Sequence, residues 1–187
     1  MMANNYQYIV AGLPDLLLDF GHKSFDIARI KTSIREQLSP KDQRWIDWLD
    51  FGLNPARLGP HFYRMAAKTK NAFIREYFAF DWQMRTVLAA VSGRKEVHLL
   101  RNQSDIAPRL LTILETENIL EREQKLDRLR WDKANELCTF HYFDVDVVLC
   151  FLLKISIIER WMRLDKVRGR ELFGEMVREI KANKIVR

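Results

Sequence analysis

The 187-residue chain carries little punctuation, with seven glycines and five prolines. So few turn formers favour long helices over a many-turned β fold. Cysteine is scarcer still. Cys138 and Cys150 lie in or beside apolar segments; nothing suggests a disulfide framework, and the two read as reduced, buried thiols of a cytosolic protein. The four histidines (His22, His61, His98, His141) are scattered, and neither H-E-x-x-H nor C-x-x-C occurs, so no metal is expected. His141 follows Cys138 by three residues, but a metal there would still lack two ligands.

Long apolar runs are missing too. A membrane span needs roughly 18 uninterrupted apolar residues. The nearest stretch, Val145–Ile158, is broken by Asp146, Lys154 and Ser156. The first twenty residues have no basic leader region and contain Asp15 and Asp19, so they do not read as a signal peptide. Phosphate-cradling motifs of the G-x-x-x-x-G-K-[ST] and G-x-G-x-x-G types are absent, and no serine stands in a nucleophile elbow. Acid pairs such as Asp47 with Asp50 and Asp132 with Glu136 arise by chance among 25 acids. Asp144 or Asp146 reads as the cap of the following helix rather than as a catalytic acid. Neither an enzyme nor a cofactor is expected.

What is present is an ordinary globular mixture, 48% hydrophobic and 30% charged. A chain this long buries roughly 70% of its unfolded surface and needs no staple. One domain over residues 1–187 is expected, with two sub-bundles of about 1–93 and 104–187. The net charge of +6 is unevenly placed: from Lys154 onward ten Lys/Arg face five Asp/Glu. A local excess of this kind concerns partners rather than fold.

Periodicity predicts an all-α bundle. Tyr6–Ala11 reads as a short extended segment ended by Gly12-Leu13-Pro14. Ser24 is the expected cap of a helix striped by Ile27, Ile30, Ile34 and Leu38. Ser39-Pro40 restarts the chain as N-cap and first helical residue, and that helix stops near Gly52. Gly52–Pro60 is a loop. From His61 the pattern is helical again; the longest candidate runs over 71–95, with Asn71 as a potential interruption near its start, turns Phe73, Tyr77, Phe80, Met84, Val87, Leu88 and Val91 to one face, and ends at Gly93. Its aromatics alternate with charges of both signs, which fits core packing better than stacking on bases. After a connection over 94–103, containing the short apolar Val97–Leu100, Ser104 and Asp105 are expected to cap a helix reaching Leu114. A polar helix is predicted over Glu117–Leu137, with Arg128–Trp131 on its solvated edge, followed by helices over Val145–Leu164 and Gly169–Asn183.

Several segments then carry a resemblance. Phe143, the run Cys150–Lys154 (CFLLK), Glu159, Arg163, the glycine break at Gly169 and an amphipathic helix through Met176 and Ile180 form one such series. It resembles the closing segment of the central-rotor adaptor subunit of V-type and archaeal-type rotary ATPases. Cys150 stands where that family usually has Tyr. The whole chain is more similar to an uncharacterised bacterial family that itself resembles this adaptor and whose members tend to lie among V-type ATPase genes. The shared pieces are Tyr6–Leu16 (Y-x-Y-x-V-A-G-L-P-D-L), Phe73–Asp81 (F-I-R-E-Y-F-x-F-D), Leu126–Trp131 (L-D-x-L-R-W) and Glu159–Asp165 (E-R-W-x-x-L-D). The rotary-ATPase adaptor is itself much longer, with three helical bundles.

The resemblance implies a non-catalytic adaptor that passes torque from the central stalk to the membrane ring of proteolipid subunits. It would be cytoplasmic and peripheral on the inner face of the inner membrane, with those stalk and ring subunits as partners. The expected contact residues are Arg160, Arg163, Lys166, Arg168 and Arg170, with Pro14 and Asp15 in the N-terminal turn. A basic nucleic-acid-binding or other protein-interaction module is the alternative. Acids interleaved with the C-terminal bases argue against nucleic acid as the partner.

Overall fold

The structure, a computed structural model, describes residues 5–20, 26–93, 105–164 and 166–185, the last helix by backbone alone at 166–167 and 179–185. Among the described residues there are nine α-helices and no strand. They are α1 (Tyr6–Ala11), α2 (Ile27–Gln37), α3 (Pro40–Gly52), α4 (Pro60–Ala66), α5 (Ala72–Ser92), α6 (Ala107–Leu114), α7 (Ile119–Cys138), α8 (Val145–Met162) and α9 (Lys166–Ile185). A 3-10 turn, Pro55–Arg57, lies within the expected loop between α3 and α4.

Caps explain most boundaries. The Ser39 hydroxyl accepts from the Asp42 amide while Pro40 opens α3. Asn71 is the N-cap of α5 and accepts from the Ile74 amide, and Gly93 closes the helix. Asp144 caps α8 by accepting from the amides of Asp146 and Val147. Three expected boundaries need correction. Tyr6–Ala11 is helical rather than extended, because the Asn5 side chain caps it at the Tyr8 amide. The N-cap of α6 falls on Ile106, one residue past Asp105. Gly169 does not break the chain: it lies inside α9, and the turn comes earlier, at Arg163-Leu164. The expected cap Ser24, His22, the connection over 94–103 and Ser104 lie outside the described residues. The cap of α2 is Asp26, which accepts from the Arg29 amide.

The centre of the bundle is α8. It packs on α7 most extensively and also meets α1, α2, α3 and α5. Val148, Leu149, Leu153 and Ile155 are essentially sealed from solvent. A helix apolar on nearly every side and too interrupted to cross lipid belongs in a core, and that is where α8 lies. One hydrophobic cluster draws on residues from Ile9 to Ile155 and includes the buried aromatics of α5. A smaller one joins Trp131, Ile157, Ile158 and Trp161 to Leu16, Leu18 and Phe20. The solvated edge expected at Arg128–Trp131 is therefore corrected: Leu129 and Trp131 are buried, the indole beneath the Lys154 ammonium at 5.1 Å. No helix of the described residues is long and apolar enough to cross a membrane.

Gly52, the last residue of α3, packs so closely that a β-carbon there would lie 2.1 Å from Phe78 Cζ and 2.7 Å from Phe62 Cζ. Those rings meet edge to face at 4.8 Å in the core. They cannot retreat without disturbing their neighbours. Gly52→Ala is expected to cost about 1–3 kcal/mol by overpacking, read as a lowered denaturation midpoint. An unchanged midpoint would mean that the aromatic corner is loosely packed.

Candidate functional site

Two of the segments that carry the resemblance, Leu126–Trp131 and Glu159–Asp165, lie 33 residues apart in sequence between Asp127 and Arg160 and meet in space. The connection from α7 to α8 is short, and the contacts Asp127–Arg160, Ala134–Cys150 and Cys138–Asp146 run in opposite directions along the two helices. They therefore form an antiparallel hairpin. Asp127 is its electrostatic hub. Its carboxylate is almost fully buried and accepts from Arg130 Nη1 at 2.5 Å, Arg160 Nη1 at 2.7 Å and Trp161 Nε1 at 2.8 Å. Two guanidiniums and an indole satisfy both oxygens, the condition under which a buried charge is tolerated.

A second tier surrounds this hub. Arg160 also bonds Glu123. Burial works against its charge, but the hydrogen bonds to Glu123 and Asp127 outweigh burial and raise its pKa. Glu159 accepts from Lys31 Nζ at 2.9 Å, which ties α2 to α8, and also pairs with Arg163. Burial alone would lift the Glu159 pKa, but these two cations hold it below the usual value. Asp81, from the Phe73–Asp81 segment, is buried and accepts from Tyr63 Oη and Arg85 Nε, each at 2.7 Å. Lys31, Arg85, Arg122, Arg130, Arg160 and Arg163 line one charged cleft beside these acids.

The expected contact residues thus divide. Arg160 belongs to the internal network, where it joins α8 to α7. Arg163 pairs with Glu159 yet keeps three-quarters of its side chain in solvent. Arg168 and Arg170 are exposed on α9, and the Lys166 side chain lies outside the described set. Pro14 lines a separate groove between α1 and α2, with Asp15 exposed beside it. The N-terminal segment does approach the end of α8, but through Phe20, whose ring meets Trp161 edge-on at 4.8 Å.

The charge pattern did not reveal the apolar character of α9. Leu172, Phe173 and Met176 are 50%, 68% and 60% exposed, and none of the described α9 side chains joins either hydrophobic cluster. Residues 172, 173 and 176 fall within a single arc of the helix, with Arg168 and Arg170 one turn before it. The adjacent Leu172-Phe173 followed one turn on by Met176 is the signal that charge counting passes over.

His141 is half-exposed near the end of α7. Its Nδ1 lies 2.5 Å from Asp144 Oδ2, and that bond raises its pKa. Among the described residues no group of three His, Cys, Asp or Glu side chains is placed to hold a metal ion.

These features define the class: an all-helical bundle whose acid–arginine networks brace helix against helix and whose last helix presents an apolar face flanked by arginine. The chain belongs to DUF2764, a family of proteins of unknown function, which matches residues 53–103 and 98–184. No curated protein and no solved structure matches it.

Proposed function

We propose that this protein is a non-catalytic subunit or accessory of a V-type or archaeal-type rotary ATPase, a helical adaptor between the central stalk and the proteolipid ring. It would work on the cytoplasmic face of the inner membrane. The observation that carries the reading is α9, whose Leu172, Phe173 and Met176 stand exposed beside Arg168 and Arg170. Apolar residues clustered on the surface and rimmed by charge are the mark of a protein-docking face. The ordered series of segments shared with a family found among V-type ATPase genes points to the partner. Two of those segments form the α7–α8 brace, so the resemblance rests on residues that build the fold as well as on surface charge.

Torque transmission asks for stiffness rather than chemistry. The internal pairs Lys31–Glu159 and Arg160–Asp127 tie α2 and α7 to α8, and Arg85–Asp81 braces α5 within itself. Nucleic acid fits α9 less well, since Glu171 and Glu175 are exposed on the same helix and would face a phosphate backbone unfavourably.

The test is affinity capture of the tagged chain from native membranes, scored for ATPase head, stalk and ring subunits. The adaptor reading expects stalk and ring subunits to co-elute with wild type. With Leu172→Asp and Phe173→Asp combined, they should be lost while the fold stays intact. Capture that brings down no ATPase subunit, or that is indifferent to the double variant, overturns this assignment of α9.

A further inference from the structure

The two thiols sit in a reciprocal arrangement at the α7–α8 seam. Cys150 Sγ donates to the Ala134 carbonyl at 3.2 Å, the oxygen that accepts the Cys138 amide along α7. Cys138 Sγ donates to the Asp146 carbonyl at 3.2 Å, the oxygen that accepts the Cys150 amide along α8. Each sulfur is therefore one carbonyl away from the backbone of the other cysteine. The helices are antiparallel there and joined by the short connection over 139–144, so both β-carbons point into the same seam. Both thiols are free. Cys150 is buried, whereas Cys138 is half-exposed at the end of α7 and opens the pair to small solutes.

We propose that Cys138 and Cys150 form a reversible intramolecular disulfide on exposure to a peroxide, making the α7–α8 hairpin a site of oxidative modification. This goes beyond the adaptor assignment and does not depend on it. The first step is attack of the Cys150 thiolate on a peroxide oxygen. The O–O bond breaks, hydroxide leaves, and Cys150 becomes a sulfenic acid. Cys138 then attacks that sulfur as its proton passes to hydroxide. The S–S bond forms, the S–O bond breaks, and the second oxygen leaves as water once it is protonated. Two thiols and one hydrogen peroxide give one disulfide and two waters.

The electrostatics assign the order. The adjacent Cys138 thiol lowers the Cys150 pKa; burial opposes this, and the Lys154 ammonium one turn further on reinforces it. The same proximity, with burial, raises that of Cys138. Cys150 is therefore the first of the pair to ionise, and it gives up its bond to the Ala134 carbonyl when it does.

The purified full chain is treated with hydrogen peroxide, quenched, alkylated with iodoacetamide, and its intact and tryptic masses are measured. Both cysteines lie in the tryptic peptide 134–154. The expected product is monomeric, unalkylated at both positions, lighter by the two hydrogens, and restored by dithiothreitol. In Cys138→Ser, dimedone should instead label Cys150 as a sulfenic acid. Full alkylation of both thiols after peroxide, an intermolecular dimer, or stable over-oxidation of Cys150 in the wild type would each overturn the proposal. Circular dichroism of Cys138→Ser verifies its fold. If that variant is unfolded, the wild-type masses alone decide.

Discussion

Asp127→Ala should destabilise the fold by about 3 kcal/mol, near the lower end of the roughly 3–5 kcal/mol seen when one partner of a buried ion pair is removed. The mutation strands three donors at once: Arg130 Nη1, Arg160 Nη1 and Trp161 Nε1. Their fates differ. Arg160 is 44% exposed and keeps Glu123, so it recovers much of its solvation. Arg130 is only 20% exposed, and the Trp161 indole is buried and would lose the acceptor it has in Asp127. An unsatisfied buried donor costs about 1–3 kcal/mol by itself. With a urea slope of about 1–3 kcal/mol/M, the midpoint should fall by roughly 1–3 M. Asp127→Asn keeps an acceptor for the indole and should lose less. A midpoint change below about 0.5 M for the alanine variant would show that the hub is dispensable and that α7 and α8 are held by apolar contact alone.

Leu149→Ala is expected to cost about 4 kcal/mol. Truncating a buried leucine costs roughly 2–5 kcal/mol, and the value depends on how far the walls can collapse. Leu149 is fully buried on α8, the helix that touches α1, α2, α3, α5 and α7. A helix braced from so many directions cannot move toward one wall without leaving another, so the upper half of the range applies. Leu149→Met, which nearly conserves volume, should cost less than about 1.5 kcal/mol. Equilibrium denaturation checks both. A cost near 1 kcal/mol for the alanine variant would mean that the core around α8 repacks freely, contrary to the central place given to this helix.

Much of the fold was legible in the sequence because local chemistry and global packing agree. Ser39-Pro40, Gly93 and Asp144 punctuate helices whose apolar stripes face the core, whereas Asn71, which read as an interruption, is the N-cap of α5. The exceptions have physical causes. A six-residue helix such as α1 is too short for periodicity to distinguish it from a strand, and its Asn5 cap is the only local sign. Gly169 reads as a break because glycine weakens helices, but the weakening was not enough to end α9. Trp131 and Asp127 escape sequence reasoning for one reason. In a helix dense with charge, nothing local tells which acid and which aromatic turn inward, and the answer lies on α8, in Arg160, Trp161 and Lys154. The candidate surface was half legible. Charge counting found the arginines, but Arg160 is committed to Asp127; the amphipathic helix through Met176 was legible, and what the packed core adds is that its Leu172, Phe173 and Met176 stand uncovered.

The adaptor reading is tested most directly by coupling. Rotary ATPase in membrane vesicles from cells lacking this protein should still hydrolyse ATP in its catalytic head but fail to drive ion uptake, and adding back the wild-type chain should restore uptake. An ATPase purified without this protein that pumps ions with its coupling ratio intact would contradict the assignment.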